Sequence, residues 1–389
     1  MSEQRALHVR PLGVVEYEDG LAAQRLVAAA RHAGVLPDTL LLLEHPRVLT
    51  LGRAASRADI LLPEEELTRR GFEVHATDRG GEVTYHGPGQ LVGYPILDLK
   101  PDRRDVRKYV RSVEELMIRL ARGYGIEAER VHDRAGIWVR RPAGAKLAWE
   151  KLGAIGVHLS RWITTHGFAF NVTTRLSDFE AIVPCGITDA WVCSLESLLA
   201  ERGQAAPSLG EVTARAAQVG AEVWESEPFE VPVGLETISV AVLREGRDGD
   251  EALLLHRVPE RGGYWQTLTG RRESGEGALQ AAAREIYEET GFAPALDEIR
   301  SLDYVHAFAL DPSLTAAGKP EAGAPPRAPV FARETAFGLR VPAGSEPRLE
   351  PREHDGHRWV SLEDAQRLLP FAGLRRGLRL AAALDSSAK

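Results

Sequence analysis

Along the first 224 residues, short apolar runs alternate with stretches whose apolar residues recur at helical spacing. Residues 39–43 (TLLLL) have no polar face and read as a buried strand, as do 135–139 and 167–172. Between them, Val110, Val113, Met117 and Leu120 line one face of a helix over 107–123. A closing helix is expected over 208–224, with Ser208 as its N-cap. The pattern then breaks. Residues 225–233 (ESEPFEVPV) are rich in Pro and Glu, lack a helical period, and read as a linker. Fresh strands follow at 237–243 and 251–256. Residues 311–329, rich in Pro, Ala and Gly, read as an exposed loop, and no internal repeat is visible. The expectation is two α/β domains: 1–224, a linker at 225–234, and 235–389.

The length of 389 residues gives each half enough chain to bury a core of its own. The net charge of -8 argues against DNA as a partner, because phosphate contacts need cations. The opening residues show no apolar h-region, and no apolar run is long enough to span a bilayer. Two cysteines, Cys185 and Cys193, exclude a disulfide framework and fit a reducing cytoplasmic setting.

Three segments of the first half carry chemistry. Residues 79–90 (RGGEVTYHGPGQ) join many glycines to a Thr and a His, as expected where a backbone turns tightly against a ligand. Residues 151–156 (KLGAIG) place a lysine at the head of a small, apolar strand. Residues 183–187 (VPCGI) hold Cys185 between Pro and Gly in a turn. An exposed Cys beside a cation is a nucleophile, whereas a free Cys is more often a small buried hydrophobe and a lone Lys a solvated surface group.

Taken together with residues 44–53 (EHPRVLTLGR) and 165–171 (THGFAFN), these segments make the first half resemble the lipoyl(octanoyl) transferases of the biotin/lipoate ligase superfamily. The resemblance implies a biotin/lipoate ligase-like α/β fold and ping-pong transfer of octanoate from octanoyl-acyl carrier protein. The acceptor it implies is a lysine of apo lipoyl domains in 2-oxoacid dehydrogenases and glycine cleavage H protein. It makes Cys185 the nucleophile and Lys151 the group that lowers its pKa and shuttles protons, without a cofactor. It also implies a pocket from Arg79, Gly80, Gly81, Glu82, Val83, Thr84, Tyr85, His86 and Gly87. Leu152, Gly153, Ala154, Ile155, Gly156, His166, Gly167, Phe168 and Ala169 complete it, with backbone N–H groups as an oxyanion hole. An ATP-dependent lipoate ligase is the alternative within that superfamily, and it does not need the cysteine. Cys193 reads as an inert packing thiol, and Lys146 as a decoy in the stretch before Lys151. Arg103, Arg104, Arg107, Lys108 and Arg111 form either a solvated helix face or a dock for an acidic carrier protein.

The second half contains GX5EX7REUXEEXGU, with U aliphatic or aromatic, between Gly270 and Phe292. Glu285, Glu288 and Glu289 fall on one helix face, and Glu276 precedes the helix. Carboxylates at that density suit Mg2+ or Mn2+, Arg284 can hold one of them in place, and Gly291 ends the helix. The motif matches the Nudix box, implying an α/β/α sandwich around a mixed sheet. The activity implied is metal-dependent hydrolysis of a nucleoside diphosphate-type small molecule, with Glu289 or a downstream Glu as base. A non-catalytic nucleotide sensor is the alternative. The flanks 264–270, 333–337 and 353–359 resemble dihydroneopterin triphosphate pyrophosphatases. They add Glu334 and Glu353 as metal or base candidates, and Trp265 as either a stacking platform or a packed aromatic.

Overall fold

The computed structural model describes residues 5–142, 149–183, 190–311 and 326–386. Lys146, Cys185 and most of the loop expected at 311–329 lie outside them. The chain divides into two compact units: the first takes residues 1–17 and 24–232, the second 233–389 together with the short stretch 18–23.

The first unit runs β1 (Arg5–Val14), α1 (Tyr17–His32), β2 (Asp38–Glu44), β3 (Val48–Leu51), α2 (Glu64–Arg69), β4 (Glu73–Ala76), β5 (Val83–His86) and β6 (Gln90–Ile96). It continues α3 (Val106–Arg122), β7 (Glu129–Val131), β8 (Arg134–Arg140), β9 (Trp149–Ser160), β10 (Ile163–Asn171), β11 (Ala190–Val192), α4 (Leu195–Ala200), α5 (Leu209–Val223) and β12 (Ser226–Glu230). Its main sheet has the order β12-β1-β2-β6-β10-β9-β8-β7, with β11 on β9. A small sheet β4-β3-β5 builds a second core around Leu49, Phe72, Tyr85 and Phe179. The apolar stripe of α3 (Val113, Leu116, Met117, Leu120) packs under β9 and β10. Asp105 caps α3, and Ser208 caps α5 through a capping box with Glu211.

The segment read as linker is partly a strand. Ser226–Glu230 pairs parallel to β1, from Arg5↔Ser226 to Val9↔Glu230. Pro228 is tolerated because β12 is an edge strand, where one side needs no N–H donor.

The second unit runs β13 (Leu235–Gly246), β14 (Gly249–Arg257), β15 (Trp265–Gln266), β16 (Leu268–Arg271), α6 (Ala278–Thr290), β17 (Arg300–Leu310), β18 (Val330–Arg340), β19 (His354–Ser361), α7 (Leu362–Leu368) and α8 (Ala372–Ser386). Its mixed sheet is β15-β14-β13-β18-β17, with β16 on β13 and β19 on β14. Alternation separates the two faces. Ile238, Val240, Val242, Leu253 and Leu255 pack with Ala281, Ala282 and Ile286 of α6. On the other face, Ala381 and Gly377 of α8 lie against Gly338 and Ala336. Helices therefore cover both faces of the sheet, as the sandwich reading expects. Among the described residues no helix is long and apolar enough to cross a membrane.

Candidate active sites

On β9, Ile155, Val157 and Leu159 pack against the main core, so Ala154, Gly156 and His158 face the other way. Unbroken alternation would also put Lys151 in the core. It does not, because Ile137 pairs with Gly153 and Trp138 with Lys151, leaving Leu152 as an extra residue on β9. This bulge sends Leu152 into the core and turns Lys151 to the open face. Trp138 shares that face, since its neighbours Ile137 and Val139 are core residues. The Lys151 Nζ lies 4.7 Å from the centre of the Trp138 ring.

The same face carries Ala169 and Gly167 of β10, paired with Ala154 and Gly156. The floor next to Lys151 is thus made of small residues. The RGG segment lies across it: the Gly80 N–H donates to the Val157 carbonyl at 2.9 Å, and a Cβ on Gly156 would stand 3.0 Å from Arg79 Cδ. Arg79 is buried and donates to the hydroxyl and carbonyl of Thr50 at 2.8 and 2.7 Å. The carbonyls of Gly81 and Glu82 accept from the N–H groups of Ala54 and Gly52.

Strand β5 divides by parity. Thr84 pairs with Thr50, and His86 shares its face; Val83 and Tyr85 turn into the second core. The Tyr85 hydroxyl donates to Asp178 at 2.8 Å. His86 Nδ1 donates to Gln90 at 2.7 Å, Gln90 to Asn171 at 2.9 Å, and Asn171 to the Cys193 carbonyl at 2.9 Å. Burial, then His45, pushes the His86 imidazole down to about 3, so it stays neutral at physiological pH. His166 has φ +56° and donates through Nε2 to Asp78 at 2.8 Å, while its N–H donates to Gln24 at 2.6 Å. His166 pairs with Val157 in an unbroken register, and with that left-handed backbone its side chain reaches Asp78 while Phe168 and Phe170 stay in the core.

The structure therefore brings Arg79, Gly80, Thr84, Ala154, Gly156, Gly167, Ala169 and Lys151 into one region. Leu152, Gly153, Ile155 and Phe168 lie on the core side, as Val83 and Tyr85 do in the second core. The chain on both sides of Cys185 is placed: the Val183 N–H donates to the Asp59 carbonyl, and Ala190–Val192 pairs with Trp149, Glu150 and Lys151. Cys193 is buried, and burial raises its thiol pKa well above the ordinary value. Sequence reasoning missed Trp138 and Thr50, although Trp138 sits between two apolar residues, where alternation marks it as facing the other way.

In the second unit, Arg284 gathers the acids. It donates to both oxygens of Glu276 at 2.9 and 3.0 Å, to Glu285 at 2.8 Å and to Glu288 at 3.0 Å. These bonds hold the Glu276 carboxylate below its usual range. Gly270 lets Glu285 approach closely: a Cβ there would stand 2.0 Å from Glu285 Cδ and would displace that carboxylate. Gly291, at φ +71°, closes α6. Glu289 is buried on the inner side of α6, and its Oε2 has no hydrogen-bond partner. Burial, then Glu285 and Glu353, raise its pKa well above the carboxylate range, and burial raises that of Glu285. Arg257 and Arg261 act on Glu289 in the opposite sense, and Arg261 bonds Glu353 at 2.8 Å.

Of the two extra candidates, Glu353 joins this group and Glu334 does not. Glu334 pairs with Thr237, whose side chain faces α8, and binds His306 at 3.1 Å. Trp265 is half-buried opposite His256 on the face turned from α6, its ring 4.8 Å from the Arg358 guanidinium carbon and 4.8 Å from the His256 ring. Among the described residues no three His, Cys, Asp or Glu side chains stand close enough to enclose a metal ion. A divalent cation nevertheless fits the donors present: they are hard carboxylates, and the buried Glu289 has an orphaned oxygen whose ionised form a cation would stabilise.

These are the features of a lipoyl protein ligase-like α/β domain followed by a NUDIX sandwich. Residues 16–218 match the lipoyl protein ligase A/B catalytic domain, and residues 235–379 match the NUDIX domain. The chain belongs to the lipoyl protein ligase A/B family, among its octanoyltransferases, and carries a NUDIX domain. An octanoyltransferase of Myxococcus xanthus is 47% identical over 96% of this chain and 98% of its own length. One of Chloroflexus aurantiacus is 50% identical over 58% of this chain and 96% of its own. The solved E. coli dihydroneopterin triphosphate pyrophosphohydrolase covers 37% of this chain and 92% of its own, at 23% identity and TM-score 0.30. Likeness at that level says nothing of substrate.

Proposed function

We propose that residues 1–224 transfer octanoate from octanoyl-acyl carrier protein to a lysine of apo lipoyl domains through a thioester on Cys185. The observation that carries this reading is the bulge at Leu152, which turns Lys151 onto the small-residue floor under the RGG segment. The Lys151 amine takes the Cys185 proton, and the thiolate attacks the octanoyl carbonyl carbon. The carrier thiolate leaves and recovers a proton from Lys151. The acceptor amine then attacks the thioester, Lys151 takes the proton that the amine loses, and Cys185 leaves as thiolate, so no cofactor is consumed. Ala154, Gly156, Gly167 and Ala169 leave room for the acyl chain. Incubation with octanoyl-acyl carrier protein, without ATP, should give a hydroxylamine-sensitive octanoyl adduct on Cys185 by peptide mass spectrometry. Transfer that requires ATP, or no adduct, would mark a ligase instead.

The carrier docks on α3. Arg104, Arg107, Lys108 and Arg111 are exposed, while Arg103 is drawn inward to Asp38 at 2.6 Å. An acidic carrier would be steered by that cluster. Arg107→Glu with Lys108→Glu should raise KM for the carrier substrate about tenfold at low salt, with kcat unchanged, and the difference should shrink at high salt. Equal KM values at low salt would place the dock elsewhere.

Residues 235–389 hydrolyse a nucleoside diphosphate-type substrate. Glu285, Glu289 and Glu353 would hold Mg2+ or Mn2+, which supplies charge neutralisation for the diphosphate and acidifies a water. Arg284 holds Glu276, Glu285 and Glu288 in place, and Glu289 is the candidate base. A cavity of about 580 Å³ lies between the start of β13 (Leu235, Glu236) and the stretch from Arg271 to Gly277 that leads into α6.

A further inference from the structure

Trp138 is among the largest fully buried side chains of the chain, yet it belongs to neither apolar core of the first unit. Its neighbours on β8 point into the main core, and it points to the face that carries Lys151. Its one polar atom is used: the indole N–H donates to the Arg134 carbonyl at 3.3 Å. What remains to act on the site is the π face, and the Lys151 Nζ lies 4.7 Å from its centre, with the Arg134 guanidinium carbon 5.6 Å from the same ring. A cation within about 6 Å of an indole centroid is attracted by the ring quadrupole, and the attraction grows when water is excluded.

We propose that Trp138 is a positioning residue for acyl transfer: its ring holds the Lys151 ammonium on the open face of β9, where the bulge at Leu152 has delivered it. The inference rests on the reading of Lys151 as the proton-transfer partner and adds what steers it. Lysine is a point charge on a flexible four-carbon stem, and nothing in its own shape fixes its direction. The cross-strand pair Trp138↔Lys151 supplies that direction, because the one extra residue on β9 turns Lys151 to the side that Trp138 already faces.

The test uses the full chain as wild type, Trp138→Phe and Trp138→Leu. Limiting acetic anhydride at one pH labels free amines, and mass spectrometry reads Lys151 against exposed Lys108 in the same molecule. Lys151 should be acetylated roughly two- to tenfold faster in Trp138→Leu, with Trp138→Phe between it and wild type. Octanoyl transfer should lose kcat in the same order with KM for the carrier substrate unchanged. A Trp that only packs would lower Tm in both variants and leave the labelling ratio at the wild-type value, and that result overturns the proposal. Should Trp138→Leu fail to fold, Trp138→Phe decides alone, since a weaker ring must still label faster than wild type. Lys151→Ala separates the two levels: wild-type transfer by that variant would remove the reading of Lys151 itself, whatever the labelling shows.

Discussion

Cys185→Ala is expected to lower octanoyl transfer by roughly a thousandfold or more, because a ping-pong enzyme without its nucleophile has no acyl intermediate. Cys193→Ser is expected to change the rate less than about twofold, the usual scale of a tolerated buried substitution away from the reacting atoms. The contrast is sharp because the two thiols are eight residues apart in a chain with no others. Cys193 is also close to Lys151 in space: its N–H donates to the Lys151 carbonyl at 3.0 Å. Proximity is not enough. The Cys193 side chain is 1% exposed and packs among the residues of the main core, and burial, then Glu150, disfavours its thiolate. Lys151→Ala should cost about 10²–10⁴ in kcat, the range for a lost general acid-base group, while leaving Cys185 alkylatable at high pH. The measurements are carrier-to-acceptor transfer and peptide mapping of the acyl adduct. An adduct on Cys193, or near wild-type transfer by Cys185→Ala, would sink the assignment.

The elements with strong local signals were legible before any coordinates. Ser208 announces α5, Gly291 ends α6, and the spacing of Glu285, Glu288 and Glu289 places Arg284 where it binds three acids. What escaped was set by pairing between distant strands. Residues 151–156 look like unbroken strand, so nothing in them marks Leu152 as the residue that faults the alternation; β8 decides that. Ser226–Glu230 lacks strand composition and becomes a strand because β1 offers an unsatisfied ladder. Glu334 and Glu353 were equal on sequence. The register Thr237↔Glu334 sends the first to the α8 face, whereas Glu353 acts directly on the charge of Glu289. Val83 and Tyr85 could have been separated from Thr84 and His86 by alternation alone, but the motif was read as one block.

Glu289→Gln is expected to remove hydrolysis and to stabilise the metal-free fold, two effects of one buried charge. The Glu289 carboxyl is 4% exposed, one of its oxygens has no partner, and Glu285 and Glu353 stand near it. Its folded pKa lies well above the ordinary value of 4.5. In the unfolded chain the group is ionised above that value; in the fold it keeps its proton to higher pH. Folding therefore takes up a proton in the window above 4.5, and wild-type stability falls there as pH rises, by about 1.4 kcal/mol per pH unit until the folded pKa is passed. Glutamine has no such slope. In EDTA the variant should match wild type near pH 4 and exceed it progressively as pH rises above 4.5, because only the wild type then has to bury a carboxylate that would otherwise ionise. Mg2+ should reverse the order at neutral pH, raising the wild-type Tm through binding to the folded state and leaving the variant nearly unmoved. Pyrophosphate or phosphate release from the best substrate of a nucleotide panel should fall about a thousandfold, since the ion contributes several kcal/mol to such transition states. Melting curves across pH with EDTA or Mg2+, paired with that release assay, read all three effects. A variant that hydrolyses at the wild-type rate, or a wild type whose Tm ignores Mg2+, would remove α6 as the metal-binding helix.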